Sequence, residues 1–272
     1  MNKLALMLIA SLATTAVEAN PNKLDDILES EHRSDKNVAR DQFRHPKETI
    51  EFFGTKPTDH VLEMWPGTGW YSEILAPYVK DQGKYTAVTF AIDNMNSGIK
   101  RDAAWSKTAL KYIDKMSDSS LYGDVSFKEF EPPQKYQCAE PGTIDVAYVV
   151  RTMHIWDEEG ILLQGFESIW DALKPGGVLA VVQHRGQSTS SIGSTAVEGY
   201  MDERYVIDVA KKAGFVLAAK SEINANTKDL KNYPRGVYTL PPTLAMGKKD
   251  RKKYQTIGES DRMTLKFVKP QS

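Results

Sequence analysis

The chain has 272 residues, 41% of them hydrophobic and 26% charged, which is the composition of an ordinary globular protein of about one large α/β domain. The formal net charge of −1 argues against a general attraction to nucleic acid or to anionic lipid. Cys138 is the only cysteine, so no internal disulfide is possible, and its loop-like surroundings indicate an incidental thiol.

The first twenty residues have the pattern of an export signal. Lys3 is followed by the apolar run "LALMLIASLA", and the small residues Val17 and Ala19 end the segment. This pattern predicts a secretory signal peptide at residues 1–19 that is cleaved after Ala19, and hence a periplasmic or secreted protein. The alternative is a buried N-terminal helix. The apolar run is too short to span a bilayer, so we expect no stable membrane insertion.

Residues 20–56 are polar and are predicted to form a helical N-terminal extension. Pro46 in a first turn, Glu48 just inside it and Gly54 as a stop predict one helix of this extension. Arg40 and Arg44 precede that helix. They belong either to a solvated charged helix or to a segment that folds over a ligand.

From residue 57 onward, strand patterns alternate with helix patterns. Apolar or alternating runs predict strands at 61–64, 85–92, 125–130, 144–150, 176–184, 215–223 and 263–268. This alternation predicts an α/β fold: a Rossmann-like, doubly wound, mostly parallel seven-stranded sheet with helices on both faces. In such sheets ligands bind beyond the carboxyl ends of the strands, so the residues that follow each strand are the candidate site.

Residues 224–261, which we call the cover segment, interrupt this alternation. They contain "NYPRGVYTLPPTL" and the charge run "KKDRKK" but no regular periodicity. A loop of this length inside a compact domain is often a lid or binding loop. The Tyr, Pro and Leu residues favour a packed cover, and the charge run favours a solvated surface.

The first predicted strand ends in a glycine turn, "EMWPGTGW", that leads into a helix pattern. Gly67 and Gly69 would let the backbone approach a ligand closely, and free amides at a helix start favour polar or anionic groups. A dinucleotide fingerprint would need a third glycine where Ser72 stands, which weakens a nicotinamide or flavin interpretation.

The same turn resembles the acid-x-Gly-x-Gly-x-Gly motif of class I S-adenosylmethionine-dependent methyltransferases, with Glu63 as the acid and Trp65 in the place of the first glycine. The segments "GTIDVAYVVRTMHIW", "LKPGGVLAVV" and "AKKAGFVLAAKSEI" resemble the fourth-strand, fifth-strand and sixth-strand units of that family. Nearly the whole mature chain is similar to a group of predicted, signal-bearing bacterial methyltransferases.

The resemblance implies S-adenosylmethionine as cofactor and a set of residues that bind it. Glu63 would orient the turn and approach the methionyl amino group, and the backbone of Gly67 and Gly69 would pass beneath the cofactor. Thr89 occupies the place of the acid that accepts the ribose hydroxyls, and Glu131 the place of a group that meets the adenine amino group. The implied cofactor-binding residues are Glu63, Trp65, Pro66, Gly67, Gly69, Thr89 and Glu131.

Two His–Arg pairs follow the fourth and fifth predicted strands, and these are the candidate catalytic residues. Arg151 and His154 follow the fourth strand, and His184 and Arg185 the fifth. A histidine at this edge can act as a general base, and an arginine suits a small-molecule substrate that carries an anionic group. The magnesium-binding carboxylates of catechol-type methyltransferases are replaced here by Arg and His, and no zinc motif is present, so no metal is expected.

The sequence therefore predicts a methyltransferase that acts on an unknown small molecule by direct methyl transfer. Trp65 and Thr89 leave a second interpretation open: an exported, non-catalytic ligand-binding protein with a degenerate methyltransferase fold.

Overall fold

The computed structural model describes residues 22–96, 98–187 and 197–271. The predicted signal peptide lies outside the described residues. The strands are β1 (His60–Met64), β2 (Lys84–Thr89), β3 (Val125–Glu129), β4 (Ile144–Val150), β5 (Leu173–His184), β6 (Val216–Ser221) and β7 (Arg262–Val268). The helices are α1 (Lys23–Leu28), α2 (Asp35–Val38), α3 (Asp41–Arg44), α4 (Pro46–Phe53), α5 (Ser72–Val79), α6 (Lys100–Met116), α7 (Ser119–Tyr122), α8 (Met153–Glu158), α9 (Leu162–Ala172), α10 (Glu203–Lys212) and α11 (Arg251–Ile257). Among the described helices none is long and apolar enough to cross a membrane.

The seven strands form one sheet in the order β3-β2-β1-β4-β5-β7-β6. The pairs from β3 to β5 are parallel, whereas β7 pairs antiparallel with both β5 and β6. The Rossmann-like α/β fold is as predicted, and the sheet is mixed because of β7. Since β7 runs in the opposite direction, its first residue, Arg262, pairs with the last residue of β5, His184.

Burial on both faces explains why the central strands read as continuous apolar runs. In β1, Leu62 and Met64 belong to the hydrophobic cluster on one face of the sheet, while Val61 belongs to the cluster on the other. The central strand β4 divides in the same way, with Val149 on the first face and Tyr148 on the second. The alternation of side chains along each strand thus distributes one core over two layers of helices.

The N-terminal extension consists of α1 to α4, the last of which begins at Pro46 and ends before Gly54. Gly54 adopts a φ of 79°, a left-handed conformation that glycine adopts at little cost. The extension packs on the sheet face that carries Val61, where Ile50 and Phe53 are buried. It therefore covers the carboxyl edge of the strands from one side.

The cover segment is more regular than the sequence pattern indicates. It contains a one-turn 3-10 helix at Gly236–Thr239 and the helix α11, which falls on the charge run. Leu240, Leu244 and Tyr254 form a small hydrophobic cluster within it. The charged residues hide α11 from a search for apolar periodicity because only Tyr254 of this helix is buried.

Candidate active site at the carboxyl edge of the sheet

The glycine turn follows β1 directly and leads into α5. Gly67 and Gly69 adopt φ values of 62° and 81°, and the amide of Gly69 donates to the carbonyl of Pro66 over 3.0 Å. A Cβ at Gly69 would lie 2.9 Å from the ring of Tyr112, whereas a Cβ at Gly67 would have no atom within 4 Å. Gly69 is therefore required for packing, and Gly67 faces open space, as a residue beneath a ligand would.

Glu63 lies beneath this turn and is only 3% exposed. Its carboxylate accepts a hydrogen bond from Ser72 Oγ over 2.7 Å and another from the hydroxyl of Tyr85. Burial raises the pKa of Glu63, and these two donors oppose that effect. Because Ser72 is the first residue of α5, Glu63 fixes the turn against the helix; its approach to a methionyl amino group stays a prediction.

Trp65, in the place of the first motif glycine, adopts the left-handed φ of 46° that a glycine there would favour. Its indole packs against four aromatic rings, with centroids 4.7 Å from Phe90, 5.6 Å from Trp105, 6.5 Å from Phe130 and 5.7 Å from Trp156. Its Nε1 donates to the carbonyl of Phe130 over 3.2 Å. The indole therefore lies between the ends of β2 and β3, where the family motif places the adenosyl group.

A cavity of about 210 Å³ remains beside this aromatic cluster. Its lining includes Glu131, which accepts a hydrogen bond from Asn94, and the stacked rings of Phe90 and Trp105. Aromatic faces together with a carboxylate that accepts from an exocyclic amine suit a purine. The volume is below the range of about 300–1,000 Å³ that is usual for small-molecule sites, so the indole of Trp65 restricts the space.

Thr89 does not line this cavity. It is buried, and its hydroxyl donates to the carbonyls of Phe90 and Lys128 over 3.0 and 3.3 Å. The chain leaves the sheet after Thr89, earlier than the predicted strand end at residue 92. The role of Thr89 as a ribose ligand stays a prediction, and its hydroxyl proton is used by the backbone.

The two histidines of the candidate catalytic set are brought together. The rings of His154, on α8, and His184, at the end of β5, have centroids 5.8 Å apart. Burial, and then the charge of Arg151, lower the pKa of His154 to about 4 and that of His184 well below its usual range. Both rings are therefore neutral at pH 7.

Their hydrogen bonds differ. His154 Nδ1 lies 3.3 Å from the amide nitrogen of Gln183, which donates to it, and Nε2 lies 3.2 Å from the hydroxyl of Tyr238 in the cover segment. His184 Nδ1 contacts Ser260 Oγ over 2.5 Å. The hydrogen bond described for the His184 ring is at Nδ1, whereas both nitrogens of His154 have contacts, so His184 Nε2 is the better candidate for a proton acceptor.

The two candidate catalytic arginines, Arg151 and Arg185, have different surroundings. Arg151 adopts a φ of 57° after β4 and, among the described residues, its buried Nε has no hydrogen-bond partner. Arg185 instead forms ion pairs with Asp261 over 3.0 Å and with Glu222 over 2.6 Å. Because successive side chains of a strand point to opposite faces, Arg185 points away from His184 and holds the end of β5 to the cover segment.

The N-terminal extension adds arginines that the sequence left ambiguous. Arg44 is 1% exposed, so the interpretation as a solvated charged helix is wrong for it. Its guanidinium lies 4.6 Å from the ring centroid of Trp70 and donates to Glu259 over 3.1 Å. Arg40 donates to the same carboxylate over 2.6 Å.

Arg262 and Glu259 are members of this site that sequence reasoning missed. Arg262 is the first residue of β7 and Glu259 lies three residues before it, both within the segment "GESDRM". The signal that could have found them is topological: if the last strand is antiparallel, its first residues lie at the edge where the parallel strands end.

A second, larger cavity of about 610 Å³ lies at the opposite edge of the sheet, lined by His60, Lys84, Asp145 and Lys174 among others. We assign the function to the carboxyl edge because the glycine turn and both histidines lie there, and because ligands of open α/β sheets bind at that edge. Across the described residues, no three His, Cys, Asp or Glu side chains cluster as metal ligands.

The fold is similar to that of several solved structures. A SAM-dependent methyltransferase from Aquifex aeolicus aligns with 93% of this chain and 100% of its own, at 16% identity and a TM-score of 0.56. A geranyl diphosphate methyltransferase in complex with SAM aligns with 90% of this chain and 94% of its own, at 12% identity and a TM-score of 0.51. The chain has the class I methyltransferase fold.

The cyclase SpnF aligns equally well, with 90% of this chain and 86% of its own, at 16% identity and a TM-score of 0.56. The same fold therefore occurs in a protein that is named for a different reaction, and the fold alone does not determine the chemistry. No protein-family model and no curated protein matches the chain.

Proposed function

We propose that the protein is an S-adenosylmethionine-dependent methyltransferase that acts on a small molecule by direct methyl transfer. The observation that carries the proposal is that the glycine turn after β1 and two buried, neutral histidines after β4 and β5 occupy the same edge of the sheet. The glycine turn supports the binding of a methyl donor, and the two histidines support proton removal from a methyl acceptor.

The residues that would hold the donor lie on both sides of Trp65. The backbone at Gly67 and Gly69 would lie beneath the methionyl part, and Glu131 would accept from the adenine amino group beside the stacked rings of Phe90 and Trp105. S-adenosylmethionine supplies an electrophilic methyl group on its sulfonium sulfur. The protein contributes mainly position, because an in-line displacement needs the acceptor held at the correct distance and angle.

His184 is the residue that would take the proton of a hydroxyl or amine acceptor through its Nε2. Its lowered pKa keeps the ring neutral, and hence able to accept, at pH 7. The same burial makes it a weak base, so it suits an acceptor that loses its proton late, as methyl transfer proceeds. Ser260, at its other nitrogen, fixes the orientation of the ring.

Isothermal titration of the purified protein with S-adenosylmethionine and S-adenosylhomocysteine tests the proposal. We expect one site per chain with a micromolar Kd, and weaker binding by Glu131→Gln. Glu140→Gln is the matched control, because Glu140 is an exposed glutamate outside the cavity. Absence of heat for both ligands would contradict the proposal.

A second candidate function is that of an exported ligand-binding protein without methyl transfer. The packed indole of Trp65 and the use of the Thr89 hydroxyl by the backbone favour it. In this case neither adenosyl ligand binds. N-terminal sequencing of the protein from fractionated cells tests the export itself: a periplasmic protein that begins at Asn20 supports the signal peptide, and a cytoplasmic protein that retains residues 1–19 contradicts it.

A further inference from the structure

Three arginines converge on a single carboxylate near the two histidines, and a fourth arginine lies at the same edge of the sheet. Nε of Arg40, Nε of Arg44 and Nη1 of Arg262 donate to Glu259 over 2.6, 3.1 and 3.1 Å. We call the four arginines Arg40, Arg44, Arg151 and Arg262 the arginine cluster. Arg151 belongs to it because its backbone amide donates to Val182 of β5 over 2.8 Å, two residues before the His184 that pairs with Arg262. In agreement with this placement, its charge lowers the pKa of Arg44 after the effect of burial.

The arginine cluster has more positive charge than its carboxylate can balance. Three guanidinium groups pair with Glu259; in the described ranges Arg151 forms no ion pair, and no other carboxylate forms an ion pair with any of the four. Although burial opposes ionisation, the arginines lower the pKa of Glu259 to about 2. Glu259 is thus fully ionised at pH 7, and three positive charges remain uncompensated in a buried place.

Unused donors accompany the excess charge. Each arginine of the cluster has one buried guanidinium nitrogen without a hydrogen-bond partner within the described part of the chain: Nη2 of Arg40, Nη2 of Arg44, Nε of Arg151 and Nε of Arg262. Arg44 is 1% exposed and Arg262 2%, so solvent does not satisfy them freely. Buried donors without partners are rare and costly, and buried like charges are costlier still, which indicates a missing ligand.

We propose that the arginine cluster is a binding site for an oxyanion, a carboxylate or phosphate group. Such a group supplies several acceptor oxygens and up to two negative charges, and arginine binds it through charge-assisted, often bidentate hydrogen bonds. A cavity of about 200 Å³ between the N-terminal extension and the cover segment reaches Arg262 and Glu259 from outside and gives a small anion access.

The position of the cluster indicates what the oxyanion belongs to. Arg262 pairs with His184 across β5 and β7, and Arg151 lowers the pKa of both histidines after the effect of burial. The bound anion therefore lies beside His184, the candidate base. As the acidic group of a methyl acceptor, this anion would anchor the acceptor there. Only this assignment to the acceptor rests on the proposed function; the site itself does not.

Titration with sodium phosphate and with sodium acetate, at constant ionic strength in sodium chloride, tests the site. We expect one of these ions to bind with one site per chain, and to raise the Tm by about 5–10 °C at 100 times its Kd. In Arg151→Gln the Kd for that ion rises at least about tenfold, since a charge-assisted hydrogen bond is lost. Arg251→Gln, which alters an exposed arginine on α11, keeps the wild-type Kd.

The Tm of Arg151→Gln without added anion gives a second test. Because the Arg151 side chain forms no ion pair in the described structure and its Nε has no hydrogen-bond partner, its removal relieves repulsion, and the Tm in chloride stays equal or rises. A Tm that falls, or an anion response identical in Arg151→Gln and wild type, would overturn the proposal, as would the absence of any response to both ions.

The methionyl carboxylate of the cofactor has the same chemistry as an acidic acceptor, and competition separates the two sources. If the bound ion and S-adenosylhomocysteine bind together, the cluster holds an acidic acceptor, as proposed. If they exclude each other, the oxyanion site stands and its assignment to the acceptor is overturned. A failure of S-adenosylhomocysteine to bind, with the ion still bound, contradicts the proposed function and leaves the oxyanion site supported.

Discussion

Replacing Trp65 by glycine tests where the adenosyl group binds. The indole is 7% exposed and packs against four rings, so its removal costs about 3–5 kcal/mol of unfolding free energy. Glycine recovers about 1–2 kcal/mol because residue 65 has a positive φ. We expect a net loss of about 3 kcal/mol, which corresponds to a Tm lowered by about 6–12 °C.

The same change should strengthen cofactor binding. In the wild type, an adenosyl group at the ends of β2 and β3 must displace the indole of Trp65 from its packing, and that cost weakens binding. Removing the indole in advance eliminates the cost, so the Kd for S-adenosylhomocysteine should fall by about 10- to 100-fold, where tenfold equals about 1.4 kcal/mol. Calorimetric titration of both proteins measures the ratio.

Trp170→Ala is the matched control. Trp170 packs against Phe215 with a centroid distance of 5.2 Å, on the helix layer away from the glycine turn. It should lower the Tm without a change in the Kd for S-adenosylhomocysteine. An unchanged or higher Kd in Trp65→Gly would refute the reasoning, because the indole would then be part of the binding surface or distant from it.

Three further predictions concern titration and burial. Stability should fall by about 3 kcal/mol as the pH drops from 6.5 to 4, since the unfolded chain protonates His154 in this window and the folded chain, with a pKa of about 4, does not; urea unfolding of His154→Gln should lack this loss, and an equal loss would contradict the assignment. Glu259→Gln should cost about 3–5 kcal/mol, because it leaves buried arginines without their carboxylate, whereas Glu222→Gln, at a 67% exposed side chain, should cost less than about 1 kcal/mol; equal costs would argue against the cluster. Cys138 is fully buried and its pKa is raised to about 11 by burial, so a thiol reagent should label it only on unfolding; rapid labelling of the folded protein would show that the loop opens.

The α/β alternation and the seven strands could be predicted from the sequence because the signals are local. Apolar runs of strand length, separated by helical periodicity, locate β1, β4 and β5, and the topological rule for α/β sheets then points to the residues after them. His154 and His184 meet for this reason. The glycine turn is found because positive φ angles at Gly67 and Gly69 need that residue type.

What the sequence did not reveal depends on direction and distance. Whether Arg185 or Arg151 faces the histidines depends on the register of a strand end, where one residue of shift reverses the face. Arg44 and Glu259 meet although 215 residues separate them, and no local pattern encodes such a contact. The burial of Trp65 follows from the four rings around it, which come from four different elements.

The salt bridges of Glu259 join the two ends of the described chain, since its partner Arg40 lies 219 positions earlier. During synthesis the chain must leave the ribosome as far as Glu259 before these side chains can meet, so this pocket forms only after strands β1 to β6 have emerged. A partly synthesised chain can form the first strands of the sheet, but it lacks the salt bridges of Glu259 that hold the N-terminal helices at the carboxyl edge of the sheet. Contacts of such long range slow folding, and until they form the apolar surface beneath those helices is accessible to chaperones and proteases.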